Sequence, residues 1–518
     1  MKKSVCLLSF TLLVFSAWAD ISFRALGGNY IPQNSKLDSS IEGEVGFEFS
    51  PFTVRKRDSI FLSADAGFGV LKGKGLEDFN YLTGTLGAGY EFTPIDRISI
   101  DLQGFVGLWS VPESKENNLS SASGILYGGK LNAYFNVSPS ISVGGYFGYK
   151  NFKYSPEPLL ESINMGLAFR YNFSRGMFGA SRIQPQQYEF DPVFPVFYSQ
   201  YNDIPFGKVV FKNTERNRIT DVSVLVFIEK FMASPHEAAH FNAVEIGQDF
   251  EADITAFLNE SILNQIMPSP SEAKIIVSYS SLGKRMEFVE TVELQTLGRN
   301  NMSWDEDERA AAFVSGKDAA ANKFANIVKI MLRDRLDLTA RNRNEQYAKA
   351  MFAALKAYGI NYVIDPASAF TDNSGSSTID FLQFPYQTIL YHGGDCDDLT
   401  ILNCSLLEAL GVETAFITVP GHIYMAYDSG YSVSETGKIA DGMFIVQDGK
   451  VWIPVEITLC QDSYALSKST GFREWKKYPE DGRLIPLRKA WELYKPVSIP
   501  ESDVDFEIPS KEKILKYF

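Results

Sequence analysis

Ser59-Ile-Phe-Leu-Ser-Ala-Asp-Ala-Gly-Phe-Gly-Val70 places apolar residues at Ile60, Leu62, Ala64, Ala66, Phe68 and Val70, while the alternate positions include Ser63, Asp65, Gly67 and Gly69. A period of two sends the two sets to opposite faces of a β-strand. The pattern recurs at Leu82, Leu86, Ala88, Tyr90 and Phe92, opposite Thr83, Thr85 and Glu91. It recurs again at Ile98, Ile100, Leu102, Val106 and Leu108, opposite Ser99, Asp101 and Gln103. A last segment sets Ile163, Met165, Leu167, Phe169, Tyr171 and Phe173 against Asn164, Gly166, Arg170 and Asn172. Residues 20–174 therefore read as one antiparallel β-structure of about eight long strands.

Eight strands of this length resemble the smallest outer-membrane β-barrels, in which polar and small residues line the interior and the apolar face meets lipid. Turns near Thr93-Pro94-Ile95-Asp96 and Ser138-Pro139-Ser140 are short, whereas the connections around 72–79, 112–120 and 154–161 are longer and polar. That asymmetry suits short periplasmic turns and outward loops. A soluble barrel or sandwich also alternates. The start of the chain favours the membrane form. Lys2 and Lys3 precede an apolar stretch at residues 5–15, and Ala17-Trp18-Ala19 forms a cleavage site, so residues 1–19 read as a secretory signal peptide. Cys6 lies inside the apolar stretch, away from the cleavage point, which speaks against a lipoprotein signal. An even strand number returns both barrel ends to one side, placing everything after residue 174 in the periplasm.

A chain of 518 residues is too long for one core, and about three domains follow from that length. A net charge of −14 and a pI near 5.0 exclude nucleic acid as a partner, leaving outer-membrane lipid and a protein or peptide substrate. Gln184-Pro185-Gln186-Gln187 and two further prolines mark residues 175–195 as a linker. Half-buried strands at Lys208-Val-Val-Phe-Lys-Asn, Val222-Ser-Val-Leu-Val-Phe-Ile and Ala273-Lys-Ile-Ile-Val-Ser-Tyr make residues 196–305 an immunoglobulin-like β-sandwich. Inside it, His236-Glu237-Ala238-Ala239-His240 formally matches the zinc motif HExxH. It follows Ser234-Pro235 in an expected inter-strand connection and has no third ligand nearby, so no metal is assigned to it.

Residues 306–518 change character. Helical stretches at 317–335 and 344–358 precede Gly393-Gly394-Asp395-Cys396-Asp397-Asp398. Apolar residues then recur at Leu399, Leu402, Leu406, Leu407 and Leu410, the helical period, and Gly411 supplies the stop. Cys396 thus falls in the first turn of a helix, where free N–H groups and the macrodipole favour thiolate. Pro420-Gly421-His422 opens a strand, and Glu456 lies on another in Val451-Trp-Ile-Pro-Val-Glu-Ile-Thr. Cysteine, histidine and carboxylate in that order suit a thiol hydrolase.

These residues resemble the transglutaminase-like cysteine peptidase superfamily, in its bacterial branch with GDCDD and PGHI segments. The resemblance covers roughly the last 200 residues. It implies an α+β, papain-like catalytic domain with Cys396 as nucleophile, His422 as general base and acid, and Glu456 as the orienting carboxylate. The whole is then a multidomain outer-membrane protein: barrel, sandwich and periplasmic catalytic domain. The implied activity is hydrolysis or acyl transfer at peptide or isopeptide bonds; the alternative is an inactive module that binds protein or cell-wall peptides.

For the oxyanion, the Cys396 N–H is one donor and Gln383 or Gln387 the second. Asp395, Asp397 and Asp398 would raise the thiol pKa by like charge, unless they cap helix N–H groups and face away or hold a cation such as Ca²⁺; otherwise no cofactor is expected. His392 is the rival base, read as an exposed turn residue. Three cysteines remain after cleavage, and a Cys404–Cys460 bridge would leave Cys396 free.

Overall fold

Alternating residues build eight long strands in the computed structural model, which describes residues 19–55, 57–74, 78–112, 121–154, 157–176, 181–337, 339–364 and 379–518. They are β1 (Asp20–Pro32), β2 (Ser40–Thr53), β3 (Ser59–Gly73), β4 (Phe79–Ile95), β5 (Ile98–Val111), β6 (Ala122–Asn136), β7 (Ile141–Tyr154) and β8 (Glu157–Asn172). Each pairs antiparallel with its neighbour, and β8 pairs back onto β1 from Ser22↔Asn172 to Pro32↔Ser162, closing a barrel. The expected signal segment lies outside the described residues, apart from Ala19, and so does 113–120. The connection expected at 154–161 is shorter than its composition suggested, because β7 and β8 stay paired out to Tyr154↔Glu157.

Alternation sorts the faces as read. Leu62, Phe68, Leu86, Leu102, Leu108 and Leu167 are exposed outward, while Arg24, Asp65, Asp101, Gln103, Lys130 and Asn164 are buried inward. The buried charges are paired, as isolated charges could not be. Arg24 reaches Glu48 at 2.9 Å and Asp65 at 2.8 Å, Lys150 reaches Glu42 at 2.8 Å, and Lys130 bonds Glu44. Nearer the long-connection end the lumen turns aromatic, with Tyr30, Tyr81, Phe105, Trp109 and Phe152 packed together. Gly69 makes room there: a Cβ on it would stand 2.4 Å from the Tyr81 ring.

Residues 183–190, expected within a linker, instead form an edge strand, β9 (Ile183–Phe190). Its register shifts between Pro185 and Gln187, which is how an edge strand accommodates proline. β9, β10 (Gly207–Asn213) and β13 (Asp249–Ile254) make one sheet; β11 (Ile219–Phe227), β12 (His236–Val244), β14 (Ser269–Ser281) and β15 (Lys284–Thr296) make the other. The two sheets meet through Phe211 against Phe288 at 5.9 Å and Phe241 against Phe250 at 5.6 Å. This unit sits at the short-turn end of the barrel. Arg216 reaches Glu91 at 2.7 Å and Asp20 at 3.6 Å, and Arg182 also bonds Asp20.

The C-terminal part contains α1 (Ala319–Met331), α2 (Arg343–Tyr358), α3 (Pro385–Tyr391), α4 (Cys396–Ala409) and α5 (Tyr464–Lys477). Its antiparallel sheet runs β18 (Ile445–Gln447), β19 (Lys450–Val455), β17 (His422–Ser432), β16 (Thr414–Val419) and β20 (Arg483–Pro486). One apolar core continues from the sandwich into this α+β layer, with Phe197 stacked edge-on against Tyr494 at 5.5 Å. Packing therefore has no break at residue 305.

Candidate active site

α4 begins at Cys396 because Asp395 caps it. The Asp395 carboxylate accepts the Asp398 N–H at 3.5 Å, and Asp398 accepts the Asp395 N–H at 3.4 Å. Both bonds are long. Shorter ones join them: Asp397 Oδ1 accepts the Asp398 N–H at 2.7 Å, and Asp398 Oδ1 accepts the Gln383 N–H at 2.7 Å. At the other end Gly411 takes the left-handed conformation (φ 76°) that stops a helix.

This placement buries Cys396, only 4% exposed, and sets its sulfur against the start of β17, where the Ile423 N–H bonds it. His422 precedes Ile423 directly. Its Nε2 lies 2.7 Å from Glu456 Oε2, and its ring stacks on Tyr424 with centroids 5.7 Å apart. Glu456 is buried where β19 ends. Its other oxygen, Oε1, accepts the Thr458 hydroxyl at 2.6 Å and the Thr458 N–H at 3.1 Å. With Nε2–H donated to the carboxylate, Nδ1 is the ring nitrogen that carries the free lone pair. The structure thus brings Cys396, His422 and Glu456 to one place, and adds Thr458, which the sequence reading missed. A threonine two residues after a carboxylate, able to close a local turn on it, was the available signal.

Electrostatics oppose one expectation. The helix start was expected to favour thiolate. Burial instead pushes the Cys396 thiol well above its ordinary range, Asp397 and Asp395 add to this, and the Ile423 N–H only partly offsets it. Desolvation outweighs half a dipole charge when water is excluded. Burial also pushes Glu456 upward, but the hydrogen bond and charge of His422 and the bonds from Thr458 bring it below its usual value. Burial, then the Asp395 charge, pushes Asp398 up to about 7.

Candidate ligand oxygens of Asp395, Asp397 and Asp398 lie within 4.8 Å of one another, so capping and cation binding use the same atoms. If they only cap, Asp395→Asn costs about 1 kcal/mol or less. The sign of its pH dependence follows from Asp398. A raised folded-state pKa means stability is lost as pH climbs through 4 to 7, because the native state must then give up a favoured proton. Removing the Asp395 charge relieves that loss, so the variant compares better with wild type at pH 8 than at pH 5. Thermal melts at both values, with and without Ca²⁺, measure this; a marked rise with Ca²⁺ supports the ion site.

Gln387 is committed elsewhere. Its Oε1 accepts Asn300 Nδ2 at 2.7 Å and the Phe384 N–H at 2.9 Å, which starts α3. Gln383 lies beside the first turn of α4, with its side-chain Oε1 buried and unpartnered. His392 ends α3 in a left-handed turn (φ 55°), exposed and stacked on Tyr358 at 4.4 Å. Cys396, Cys404 and Cys460 are all free thiols. Cys404 neighbours Thr414 and Glu408, whereas Cys460 donates to the Ile360 carbonyl at 3.4 Å, so the two have different surroundings and no bridge joins them.

The HEAAH segment forms strand β12 itself, where a connection between strands was expected. On a strand the two imidazoles do not share a helical face. His236 Nε2 pairs with Thr255 Oγ1 at 3.1 Å, while His240 Nδ1 meets Ser223 Oγ at 3.3 Å. Glu237 lies 3.9 Å from His240. Replacing His236 and His240 by alanine, singly or together, is expected to leave folding and any hydrolytic activity unchanged. Metal analysis showing a stoichiometric zinc that vanishes in the double variant is the contrary result.

No protein-family model matches the chain, and no curated protein matches it. Solved structures do. Ail, the attachment invasion locus protein of Yersinia pestis, is 13% identical over 30% of this chain and 96% of its own, with a TM-score of 0.23. Neisserial surface protein A is 15% identical over 30% and 97%, with a TM-score of 0.23. The N-terminal β-barrel domain of OprF from Pseudomonas aeruginosa is 10% identical over 30% and 97%, with a TM-score of 0.21. Each is similar in fold to the N-terminal barrel.

Proposed function

We propose that the protein is an outer-membrane-anchored thiol hydrolase or acyltransferase that acts on peptide or isopeptide bonds in the periplasm. The observation carrying this is the 2.7 Å bond between His422 and Glu456, placed next to a helix-start cysteine whose sulfur touches the following residue, Ile423. Glu456, itself held by Thr458, fixes the tautomer that leaves Nδ1 as acceptor. His422 takes the thiol proton, and the thiolate attacks the carbonyl. His422 then returns the proton to the leaving amine, and water or a second amine resolves the thioester.

The test is alkylation of the full-length protein in detergent by iodoacetamide across a pH series, read by peptide mass spectrometry. Cys396 reacts ahead of Cys404 and Cys460, and faster as pH rises. Preferential labelling at Cys404 or Cys460 rejects the assignment. The second reading, an inactive module binding protein or cell-wall peptides in the same cleft, draws on the burial of the Cys396 thiol. Failure of Cys396 to react at any pH favours it.

Membrane anchorage rests on the barrel's outer face. Facing water, every large apolar side chain there would forgo roughly 1.5–3 kcal/mol of burial, and Leu86, Leu102, Leu108 and Leu167 are each more than 60% exposed. Lipid removes that cost. The protein is expected to sediment with outer membranes and to resist high-salt extraction; recovery in the soluble periplasmic fraction removes the barrel-in-membrane reading.

A further inference from the structure

We infer that Tyr362 is the second oxyanion donor of this site, its phenol O–H acting beside the Cys396 backbone N–H. This rests on the thiol-acyl reading above and deepens it. Asn361 and Tyr362 form a short parallel pairing with Gly393 and Gly394, the residues that lead into Asp395 and Cys396. Two backbone bonds fix the pairing: Asn361 N–H to the His392 carbonyl at 3.0 Å, and Val363 N–H to the Gly394 carbonyl at 2.9 Å. From the opposite side, the segment is tied to the turn that follows Glu456. Gln461 Nε2 donates to the Ile360 carbonyl at 2.5 Å, and Cys460 Sγ donates to the same oxygen at 3.4 Å.

Tyr362 is thus held between the segment entering the nucleophile and the segment leaving the orienting acid. It is 42% exposed, and its hydroxyl has no hydrogen-bond partner among the described residues. Burial first, then the charges at Cys396, Asp395 and Glu456, raise its pKa, so it remains an O–H donor at neutral pH. Of the two glutamines expected for this role, Gln387 is used in starting α3. Gln383 carries a donating Nε2 beside its buried, unpartnered Oε1, which makes it the competing donor that the experiment separates from Tyr362.

The step balances without a co-reactant. As the C–S bond forms, the carbonyl π pair moves to oxygen, where the Cys396 N–H and the Tyr362 O–H donate to it. Collapse re-forms the C=O bond and expels the leaving group; an amine departs with the proton that His422 took from the thiol.

The experiment compares two reactions of the same thiol in the full-length protein. p-Nitrophenyl acetate acylates Cys396 through an oxyanion and releases p-nitrophenolate as a burst. Iodoacetamide alkylates it without one. Tyr362→Phe keeps the ring and removes only the hydroxyl, and it is expected to slow the burst about tenfold or more. Alkylation of Cys396 should stay within about twofold of wild type, since nothing in that displacement uses an oxyanion donor. An unchanged burst overturns the inference, as does an equal loss in both reactions, which would mark Tyr362 as structural. Loss of the burst in Gln383→Ala but not in Tyr362→Phe also overturns it. If wild-type Cys396 reacts with neither probe, the thiol-acyl reading itself fails, and that outcome is distinct from the other three.

Discussion

If the proposed reading holds, Cys396→Ala is expected to abolish amide turnover, with a loss on the order of 10⁶-fold, as when the nucleophile of a catalytic triad is removed. The fold survives, because alanine is acceptable in the first helical turn and the cap is made by Asp395. His422→Ala is nearly as severe. It also slows alkylation of Cys396 near neutral pH, since the thiol is already pushed up by burial and by Asp397 and Asp395. Without imidazolium as a counter-ion, nothing nearby among the described residues favours thiolate except the Ile423 N–H and the helix start. Glu456→Gln is milder, up to about 10⁴-fold, because the ring loses tautomer control and imidazolium stabilisation while nucleophile and base remain. The same order in kcat, with circular dichroism unchanged, supports the triad. Equal activity in wild type and Cys396→Ala refutes it.

Arg24→Leu is expected to destabilise the barrel by roughly 3–5 kcal/mol, the cost of breaking a buried ion pair from one side. Arg24 is 1% exposed and contacts Glu48 at 2.9 Å, Asp65 at 2.8 Å and Gln103 at 2.8 Å. Its removal leaves two buried carboxylates without their main cation. Lys130 remains, 3.9 Å from Asp65, so compensation is partial. The temperature at which the folded barrel loses its faster electrophoretic mobility measures the change. Leu102→Ala, on the outer face, should shift it far less, because that side chain leaves no charge unpaired. An unchanged transition in Arg24→Leu shows that the lumen network contributes little.

Strand alternation determined the barrel from sequence alone, because a side-chain period of two assigns each residue to lumen or exterior before any pairing is known. Ile60, Leu62, Phe68, Met165, Leu167 and Phe169 fall on the outer face as read, and Ser63, Asp65 and Asn164 fall inside. Cap and stop residues around Cys396 likewise determined α4, since these signals act within a few residues. Elements made by long-range pairing were not legible. Ile183–Phe190 carries linker composition, yet it is a strand because β10 offers it an edge. His236–Val244 contains a helical motif, but β11 pairs along it as a strand. At the site, residue order suggested the cysteine, histidine and glutamate. Only the tertiary structure decided that Glu456 Oε2 lies 2.7 Å from His422 Nε2 and that Thr458 holds its other oxygen. It also decided that Tyr362, distant in sequence, lies alongside Gly394. The thiol's protonation was decided there too. The favourable helix start is local and visible in sequence, whereas the burial that outweighs it depends on everything packed over Cys396.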